Sequence, residues 1–238
     1  MLANLAAQDA IAQNLANVST IGYKANVPRF QSFNTMLLDR MSGAASGAQG
    51  ALGTGVAVQG TATDFSAGAI ARTGNPLDVA LTGDAYLTVK TPQGILYSRN
   101  GVLSRAVDGT LVQSGTTNPV LAVNKKPIVI PLGTKEIDIS ETGEVSADSV
   151  SLGRIALAGI DASSNAVNIG GSYFSASPHP AKPADTIEQG FLESANVSVV
   201  SSMIQMINAQ RSYEANAKVL QSEDQVTGEA LSKVAATS

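Results

Sequence analysis

The sequence offers few side chains that could carry out catalysis. His179 is the only histidine among the 238 residues, and it lies between two prolines in a stretch expected to form a loop. A histidine-based metal cluster is impossible with one histidine, and a serine triad would have to use His179. The lack of cysteine excludes disulfides and thiolate metal ligands. We therefore expect a protein that is not an enzyme and that has no metal or cofactor.

Two other chemical motifs are weak. Residues 50–55 read Gly-Ala-Leu-Gly-Thr-Gly and superficially resemble a phosphate-binding loop, but no Lys-Ser or Lys-Thr pair follows them. Carboxylates such as Asp108, Glu141 and Asp148 occur in turn-like sequences, and no pairing of them suggests acid–base catalysis. The net charge of −4 gives no basic surface, so nucleic acid is not an expected partner.

The composition favours a β-rich or assembling protein over a cytosolic enzyme. Hydrophobic residues make up 44% of the chain, enough for a core, whereas charged residues make up 14% and aromatic residues 4%. No stretch approaches the roughly 20 apolar residues of a membrane span, so we expect no direct membrane insertion. The N-terminal residues lack the basic and apolar regions of a cleaved secretion signal.

The C-terminal stretch from Gln189 to Val234 dominates the pattern. It contains no proline, and after Gly190 no glycine occurs until Gly228. Apolar or small residues recur at three- and four-residue steps, which predicts a helix roughly 55 Å long. Asn196 or Ser198 is expected to cap its N-terminus. The stripe is predicted at Val200, Ile204, Ile207, Ala217, Leu220, Thr227, Leu231 and Val234.

A helix of this length indicates a coiled coil or a helical assembly. Arg211 and Glu214 interrupt its stripe, and polar residues in such a seam can fix the register and the number of partners. An amphipathic helix packed only on its own domain is the simpler alternative. We favour partners that complete the seam.

A second, shorter helix is predicted at the N-terminus. Its stripe ends before Gly22, which suits the left-handed conformation after a helix. The two terminal helices are expected to pair, and the shorter one leaves apolar surface of the longer one free as an interaction site. The N-terminal stripe consists of Leu2, Leu5, Ile11, Ala12, Leu15 and Ala16.

Between the helices we expect a connector and a β domain. Residues 25–72 form a Gly- and Ala-rich connector, in which the apolar cluster around Phe30 could make a short helix or a packed arm. Residues 73–188 alternate in apolar character, with turns at 91–94, at Asp108-Gly109 and at 141–144. Many short strands with Gly-rich turns favour an antiparallel β sandwich or a barrel-like domain.

Several stretches resemble the bacterial flagellar rod and hook proteins. Residues 14–24, Asn-Leu-Ala-Asn-Val-Ser-Thr-Ile-Gly-Tyr-Lys, look like the N-terminal signature of that family. Residues 73–83 and 97–101 resemble its central motif. Residues 190–197 and 206–216 resemble its C-terminal one. The blocks occur in the family's order and span nearly the whole chain, although family members usually begin about three helical turns upstream of Met1.

The resemblance implies a structural subunit of the flagellar basal-body rod that self-assembles into a helical tube and transmits torque from motor to hook. It also implies export through the flagellar type III apparatus without cleavage of a signal peptide. Its partners would be other copies of itself and neighbouring rod and hook proteins. The proximal rod protein is slightly favoured over the distal one. The alternative class is a secreted carbohydrate-binding or hydrolytic β domain with helical tails, although aromatic residues are scarce.

The resemblance also assigns domains and assembly residues. Residues 1–24 and 189–238 would form a terminal coiled-coil domain around the central β region. Asparagines near the helix ends would pack against neighbouring subunits, although simple capping explains them equally well. The expected assembly residues are Asn14, Leu15, Asn17, Asn196, Val200, Ile204, Ile207, Arg211, Glu214, Ala217 and Leu220.

Overall fold

The structure is a computed structural model, and it describes residues 2–32, 36–39, 48–52, 56–161, 166–182 and 184–235. The chain is mainly β with one helix at each end, as predicted. Helix α1 spans Leu2–Ala16 and helix α2 spans Val199–Ala235. The strands among the described residues are β1 (Asn26–Ser32), β2 (Met36–Asp39), β3 (Ala48–Leu52), β4 (Val56–Thr63), β5 (Ile70–Arg72), β6 (Val79–Leu81), β7 (Ala85–Thr91), β8 (Gly94–Ser98), β9 (Leu103–Arg105), β10 (Leu111–Gln113), β11 (Ile137–Ile139), β12 (Glu144–Ala147), β13 (Val150–Arg154), β14 (Leu157–Gly159), β15 (Val167–Gly170), β16 (Tyr173–Ser175), β17 (His179–Pro180), β18 (Ile187–Gln189) and β19 (Phe191–Glu193).

The chain divides into two compact units. Unit 1 consists of Met1–Gln13, Asn26–Ala62 and Val200–Ser238, and unit 2 of Asn14–Ala25 and Thr63–Val199. Unit 1 contains most of both helices and the strand pairs β1–β4 and β2–β3. Unit 2 contains the other strands together with the segment that follows α1.

The predicted connector contains regular structure. Phe30 lies in strand β1, so the short helix considered there does not form. Strands β2, β3 and β4 follow, and β2 pairs antiparallel with β3. The stretch 50–55 begins within β3, and its residues 53–55 lie outside the described residues.

Unit 2 is organised around a six-stranded antiparallel sheet of order β15-β16-β8-β7-β14-β17. Strand β7 lies near its centre. Its first three residues are all buried, and successive side chains of a strand point to opposite sides, so β7 is buried on both faces. Leu87 and Val89 join the main apolar core, whereas Tyr86 joins a smaller cluster with Ile160 and Phe174. The sheet therefore lies between two apolar clusters.

Both edges of this sheet are irregular. Strand β15 carries a register shift between Asn168 and Gly170 opposite β16, and β17 is a two-residue strand that contains Pro180. The remaining strands of unit 2 form separate sheets of two or three strands. Within the described residues no sheet closes on itself, so the barrel-like alternative is wrong. Apart from the seven-residue β7, the strands of unit 2 have two to five residues, which is too short and irregular for closure.

The turns of the β region were predicted well. Strands β7 and β8 form a hairpin across residues 92–93, and β9 pairs with β10 around Asp108-Gly109. Gly109 adopts a φ of 84°, which a glycine tolerates. Gly143, in the predicted turn before β12, also has a φ of 84°. Residues 127–131 form only isolated bridges, at Pro127 and Val129.

The end of α1 differs from the prediction. The helix stops at Ala16, and a series of turns follows in which the Asn17 N–H donates to the Asn14 carbonyl and the Thr20 N–H to the Asn17 carbonyl. Gly22 has the expected left-handed φ of 67°, but it lies beyond these turns and does not cap the helix directly.

The turn between β12 and β13 generates a stability prediction. Asp148 and Ser149 have φ values of 48° and 69°, a conformation that non-glycine residues adopt at a cost of about 1–2 kcal/mol each. The Asp148 carboxylate accepts hydrogen bonds from the Lys135 and Glu136 N–H groups, so Asp148 has a reason to remain. The Ser149→Gly variant is expected to raise the free energy of unfolding by up to about 1 kcal/mol, since Asp-Gly suits this turn.

Urea unfolding of the native protein and of Ser149→Gly measures this effect. Ser151→Gly, in the neighbouring strand β13, is the control and should lower the free energy of unfolding. An equal loss of stability in both variants would contradict the turn assignment.

Candidate assembly site

Three parts of the chain meet at one buried carboxylate in unit 2. Glu193, at the end of β19, is 2% exposed. Its Oε1 accepts hydrogen bonds from Lys24 Nζ and from the Gly68 N–H, each at 2.8 Å. Its Oε2 accepts one from Arg99 Nε. The three charged groups come from the N-terminal, central and C-terminal blocks of the sequence, so one interaction joins all three.

Arg99 is also bound to the β region by backbone groups. Its Nη1 donates to the Gly83 and Ala85 carbonyls at 2.8 and 2.6 Å, and its Nη2 donates to the Leu81 carbonyl at 2.7 Å. Its guanidinium lies 5.4 Å from the ring centroid of Tyr86, within the range of a cation–π interaction. Four of the five N–H groups of the Arg99 guanidinium therefore have acceptors, one on Glu193 and three on the backbone near the start of strand β7.

The electrostatics of the cluster favour an ionised carboxylate. Burial by itself raises the pKa of Glu193, but the charge of Arg99 and the hydrogen bonds from Lys24 and Gly68 outweigh it and hold the pKa below its ordinary value of 4.5. Burial lowers the pKa of Lys24 from 10.5, against the opposing effect of Glu193. Two buried cations thus share one buried anion.

The segment after α1 lies directly against this cluster. The Gly22 N–H donates to the Glu193 carbonyl at 2.8 Å, and the Asn196 N–H donates to the Tyr23 carbonyl at 3.3 Å. A Cβ atom on Gly22 would lie 2.5 Å from the Arg99 carbonyl carbon. Only glycine permits this close approach of two backbones.

Asn196 bonds to its own chain instead of capping α2. Its Oδ1 accepts from the Ala25 N–H at 2.7 Å, and its Nδ2 donates to the Asp64 and Ser66 carbonyls at 2.9 and 3.2 Å. Because α2 begins at Val199, Ser198 occupies the position before the helix. Of the two predicted N-cap residues, Ser198 therefore holds the position before the helix and Asn196 does not.

The other predicted asparagines also form contacts within the N-terminal segment. Asn14 Oδ1 accepts a hydrogen bond from the Tyr23 hydroxyl at 3.1 Å, and Asn17 Oδ1 accepts one from the Thr20 hydroxyl at 3.3 Å. Leu15 is half-buried in α1. These residues stabilise the turn region between α1 and Gly22, whatever further role they have in assembly.

Helix α2 has one face that the protein's own chain covers. Residues at three- and four-residue steps on this face are buried or half-buried, whereas nearly all their neighbours are exposed. The covered face consists of Ser202, Met206, Ala209, Tyr213 and Ala217. From residue 218 to residue 230 every position of the helix is exposed.

The predicted stripe divides between two sides of the helix. Val200, Ile204 and Ile207 are 68%, 55% and 51% exposed, and they share one side. Leu220 follows Val200 by about 5.6 turns and so lies on nearly the opposite side, in line with the covered face but exposed. Half-buried Ala217 belongs to that covered face. The prediction treated three- and four-residue steps as one stripe and missed the rotation over the long gap after Ile207.

The polar residues of the predicted seam are exposed. Arg211 and Glu214 follow Ile207 on the same side of α2, and the Gln210 side chain donates to Glu214 Oε1 at 3.2 Å. The apolar part of this side is therefore short. We call Val199, Val200, Met203, Ile204 and Ile207 the exposed apolar surface of α2.

Sequence reasoning did not identify the charge cluster. Lys24, Arg99 and Glu193 lie in the three blocks that resemble the family, but the sequence pattern predicted no contact between them. The available signal was a single charged residue in each of the stretches 14–24, 97–101 and 190–197, which suggests burial and therefore pairing.

The described residues offer little for catalysis. Phe65, Tyr86 and Phe174 pack on one another with ring centroids 5.8 to 6.5 Å apart, inside the smaller cluster instead of lining a groove. His179 lies in strand β17, not in the expected loop, with its Nε2 3.6 Å from the Asp161 carboxylate. Among the residues that the structure describes, no group of three or more potential ligands is placed to hold a metal ion. Among the described helices, none combines the length and apolar character that a membrane crossing needs.

Two family models match parts of the chain. The model of the flagellar hook protein FlgE/F/G D1 domain matches residues 80–147, which include Arg99. The model of the flagellar basal body rod FlgEFG protein C-terminal region matches residues 188–233, which include Glu193 and most of α2. The fold and the matched regions together define the class, a structural protein of the flagellar rod and hook.

Relatives match over nearly the full length. The flagellar basal-body rod protein FlgG of Agrobacterium fabrum is 30% identical, with 92% of this chain and 90% of the relative covered. FlgF of Mesorhizobium japonicum is 29% identical, with 94% and 89% covered. The hook-basal body complex protein FlhO of Bacillus subtilis is 27% identical, with 98% and 95% covered. The chain belongs to the family of flagellar basal-body rod proteins.

Membership of this family confirms the predicted resemblance and the structural, non-enzymatic character of the protein. The FlgG and FlgF relatives differ by one percentage point in identity. This difference does not distinguish between rod subunits, so the preference for the proximal rod protein stays a prediction.

The charge cluster gives a stability prediction. Glu193→Ala leaves two buried cations without a counter-charge, and breaking a buried ion pair in this way costs about 3–5 kcal/mol. We expect a loss of that size in the free energy of unfolding, measured with urea. Glu136→Ala, at an exposed position of the same unit, should change it by less than about 0.5 kcal/mol. A loss below about 1 kcal/mol for Glu193→Ala would contradict the role of the cluster.

The lowered pKa of Glu193 predicts the pH dependence of stability. The folded protein keeps the Glu193 carboxyl ionised at pH values below 4.5. The contribution of this carboxylate to the free energy of unfolding is therefore fully present above pH 4.5, and it is lost as the pH falls through the lowered pKa of the folded state. Unfolding midpoints of the native protein should therefore fall over this acidic range more steeply than those of Glu193→Gln. Parallel curves for the two proteins would count against this assignment.

Proposed function

We propose that the protein polymerises through its two terminal helices into the helical tube of the basal-body rod, with the β region outside the tube. The observation that carries this proposal is the exposed apolar surface of α2. Such surface is uncommon on a monomer unless it forms an interaction site.

The length of α2 supports the same interpretation. Its 37 residues correspond to about 55 Å, and the protein's own chain covers one face only as far as Ala217. Helical stability in proteins comes mainly from packing of an apolar face. The distal half of α2, with exposed Leu220 and Val226, needs such packing from other subunits.

A rod requires contacts that do not close into a ring. Heterologous contacts between two different surfaces of each subunit produce open helical assemblies. Val200, Ile204 and Ile207 on one side of α2, and exposed Leu220 on the other side, beyond the covered face that ends at Ala217, provide two such surfaces. Binding of each added subunit then stabilises the helices by mass action.

The proposal also assigns a role to each part of the chain. Residues 1–24 and 189–238 form the coiled-coil layer, residues 25–72 the connector, and residues 73–188 a β sandwich. Asn14, Leu15, Asn17 and Asn196 hold the helix ends in the geometry needed for contact between subunits. Arg211 and Glu214 set the register of the seam.

The partners in this proposal are other copies of the chain and neighbouring rod and hook proteins. The protein reaches the rod through the flagellar type III export apparatus without cleavage of a signal peptide, and in the rod it transmits torque from motor to hook. The alternative of a secreted carbohydrate-binding or hydrolytic domain is not supported, since the relatives are rod proteins. Of the aromatic residues in the β region, Tyr86 and Phe174 are buried, and Tyr97 and Tyr173 are half-buried.

The Ile207→Asp variant tests the assembly surface. A carboxylate buried in a subunit contact costs several kcal/mol, so incorporation into the rod should fall by at least about tenfold, with loss of motility. Unit 2 should remain folded, because Ile207 belongs to unit 1 and is half exposed. Val167→Asp, at an exposed position of strand β15, is the matched control and should leave incorporation unchanged.

Immuno-localisation in isolated basal bodies measures incorporation of each variant. Wild-type levels of the Ile207→Asp protein in the rod would overturn the role of this surface, and absence of the native protein from basal bodies would overturn the proposed function.

A further inference from the structure

We propose that Lys24 is a releasable latch. Its side chain fastens the segment Asn14–Ala25 to the rest of unit 2, and this segment can leave while the β region stays folded. The device is a property of the single subunit and does not depend on how subunits contact one another.

The acceptors of Lys24 each have a second donor. Lys24 Nζ donates to Glu193 Oε1 at 2.8 Å and to the Ser66 carbonyl at 2.7 Å. When Lys24 departs, Glu193 Oε1 keeps the Gly68 N–H, and the Ser66 carbonyl keeps Asn196 Nδ2. Departure therefore leaves neither acceptor unsatisfied, and for the buried Glu193 carboxylate this removes the usual penalty for breaking a buried hydrogen bond.

The charge balance also permits departure. With Lys24 in place the buried cluster holds two cations and one anion, an excess of one positive charge. Without Lys24, the Arg99–Glu193 pair that remains is neutral overall. Loss of Glu193, by contrast, would leave two buried cations facing each other.

Arg99 is held in a different way. Its guanidinium donates to three backbone carbonyls of the β region, at Leu81, Gly83 and Ala85, and these bonds do not involve the N-terminal segment. Removal of Arg99 would withdraw the donor from all three. Lys24 is thus the one member of this charge cluster whose loss leaves the β region intact.

Release would also break two backbone hydrogen bonds between the N-terminal segment and the residues before α2. The bonds from the Gly22 N–H to the Glu193 carbonyl and from the Asn196 N–H to the Tyr23 carbonyl join the two chain ends. Both break when the segment leaves. The latch therefore couples the position of the N-terminal segment to the residues from which α2 starts.

Gly22 provides a second, independent way to open the latch. Its φ is 67°, and a Cβ atom there would lie 2.5 to 2.7 Å from backbone atoms of Arg99 and Asn100. Because backbone cannot yield as a flexible side chain does, Gly22→Ala should wedge the segment away without touching any charge. Gly74→Ala is the matched control, since Gly74 has a φ of 74° but open space around its Cβ position.

The experiment compares hydrogen exchange of the full-length monomer with that of Lys24→Ala and Gly22→Ala. In both variants, amides of residues 14–25 should exchange at least about tenfold faster, while amides of strands β7 and β8 keep their protection. Lys90→Ala, an exposed lysine in β7, and Gly74→Ala should leave residues 14–25 protected.

Limited trypsin digestion supplies a second measurement. Lys24 is buried, so the native protein should resist cleavage after it. Gly22→Ala should be cut there, and mass spectrometry separates this cut from cleavage after exposed Arg29.

The proposal is overturned if residues 14–25 stay protected in both variants, or if strands β7 and β8 lose protection together with them. The second result would mean that the segment and the β region unfold as one unit. Neither result bears on incorporation into the rod, which the Ile207→Asp variant tests separately.

Discussion

The structure of unit 2 depends on one buried carboxylate that binds two cations. Glu193 is the last residue of β19, and it binds Lys24 from the segment after α1 and Arg99 from the β region. A single carboxylate therefore connects distant parts of the chain. Burying three charges is expensive unless each is paired and hydrogen-bonded. The cluster meets this requirement through the Gly68 N–H and the carbonyls around Arg99. The chain ends are thus placed by electrostatics, while the sheet is held by apolar packing.

The β region and helix α2 differ in how much of their apolar surface the single chain covers. The β region has its own apolar core on both faces of β7 and needs no partner. Helix α2 has a covered face that ends near Ala217, and beyond it the helix presents its whole circumference to solvent. This subunit therefore combines a β region that has its own core with a helix whose distal half has no covered face in the single chain.

The sequence allowed the fold class, both helices and most turns to be predicted, because periodicity and turn residues are local signals. The alternation of Leu87 and Val89 predicted β7, and Asp108-Gly109 predicted the β9–β10 connection. The Lys24–Glu193 pair could not be read in this way, since its partners are 169 positions apart. The same limit applies to Asn196, whose capping preference gave way to a tertiary bond with Ala25. The two sides of α2 were merged because the ten-residue step from Ile207 to Ala217 was treated as a sum of three- and four-residue steps, although ten residues rotate a helix by about 280°.

The register shift in β15 and the proline in β17 have a consequence for the polymer. A strand edge with regular, free amide and carbonyl groups would accept a further strand from any similar molecule, and growth would then proceed without limit or direction. Here the margin strand β15 carries a register shift, and the margin strand β17 has only two residues, one of them a proline without an N–H group. Each margin therefore offers few consecutive backbone groups for a further strand, which disfavours main-chain pairing between the β regions of different molecules.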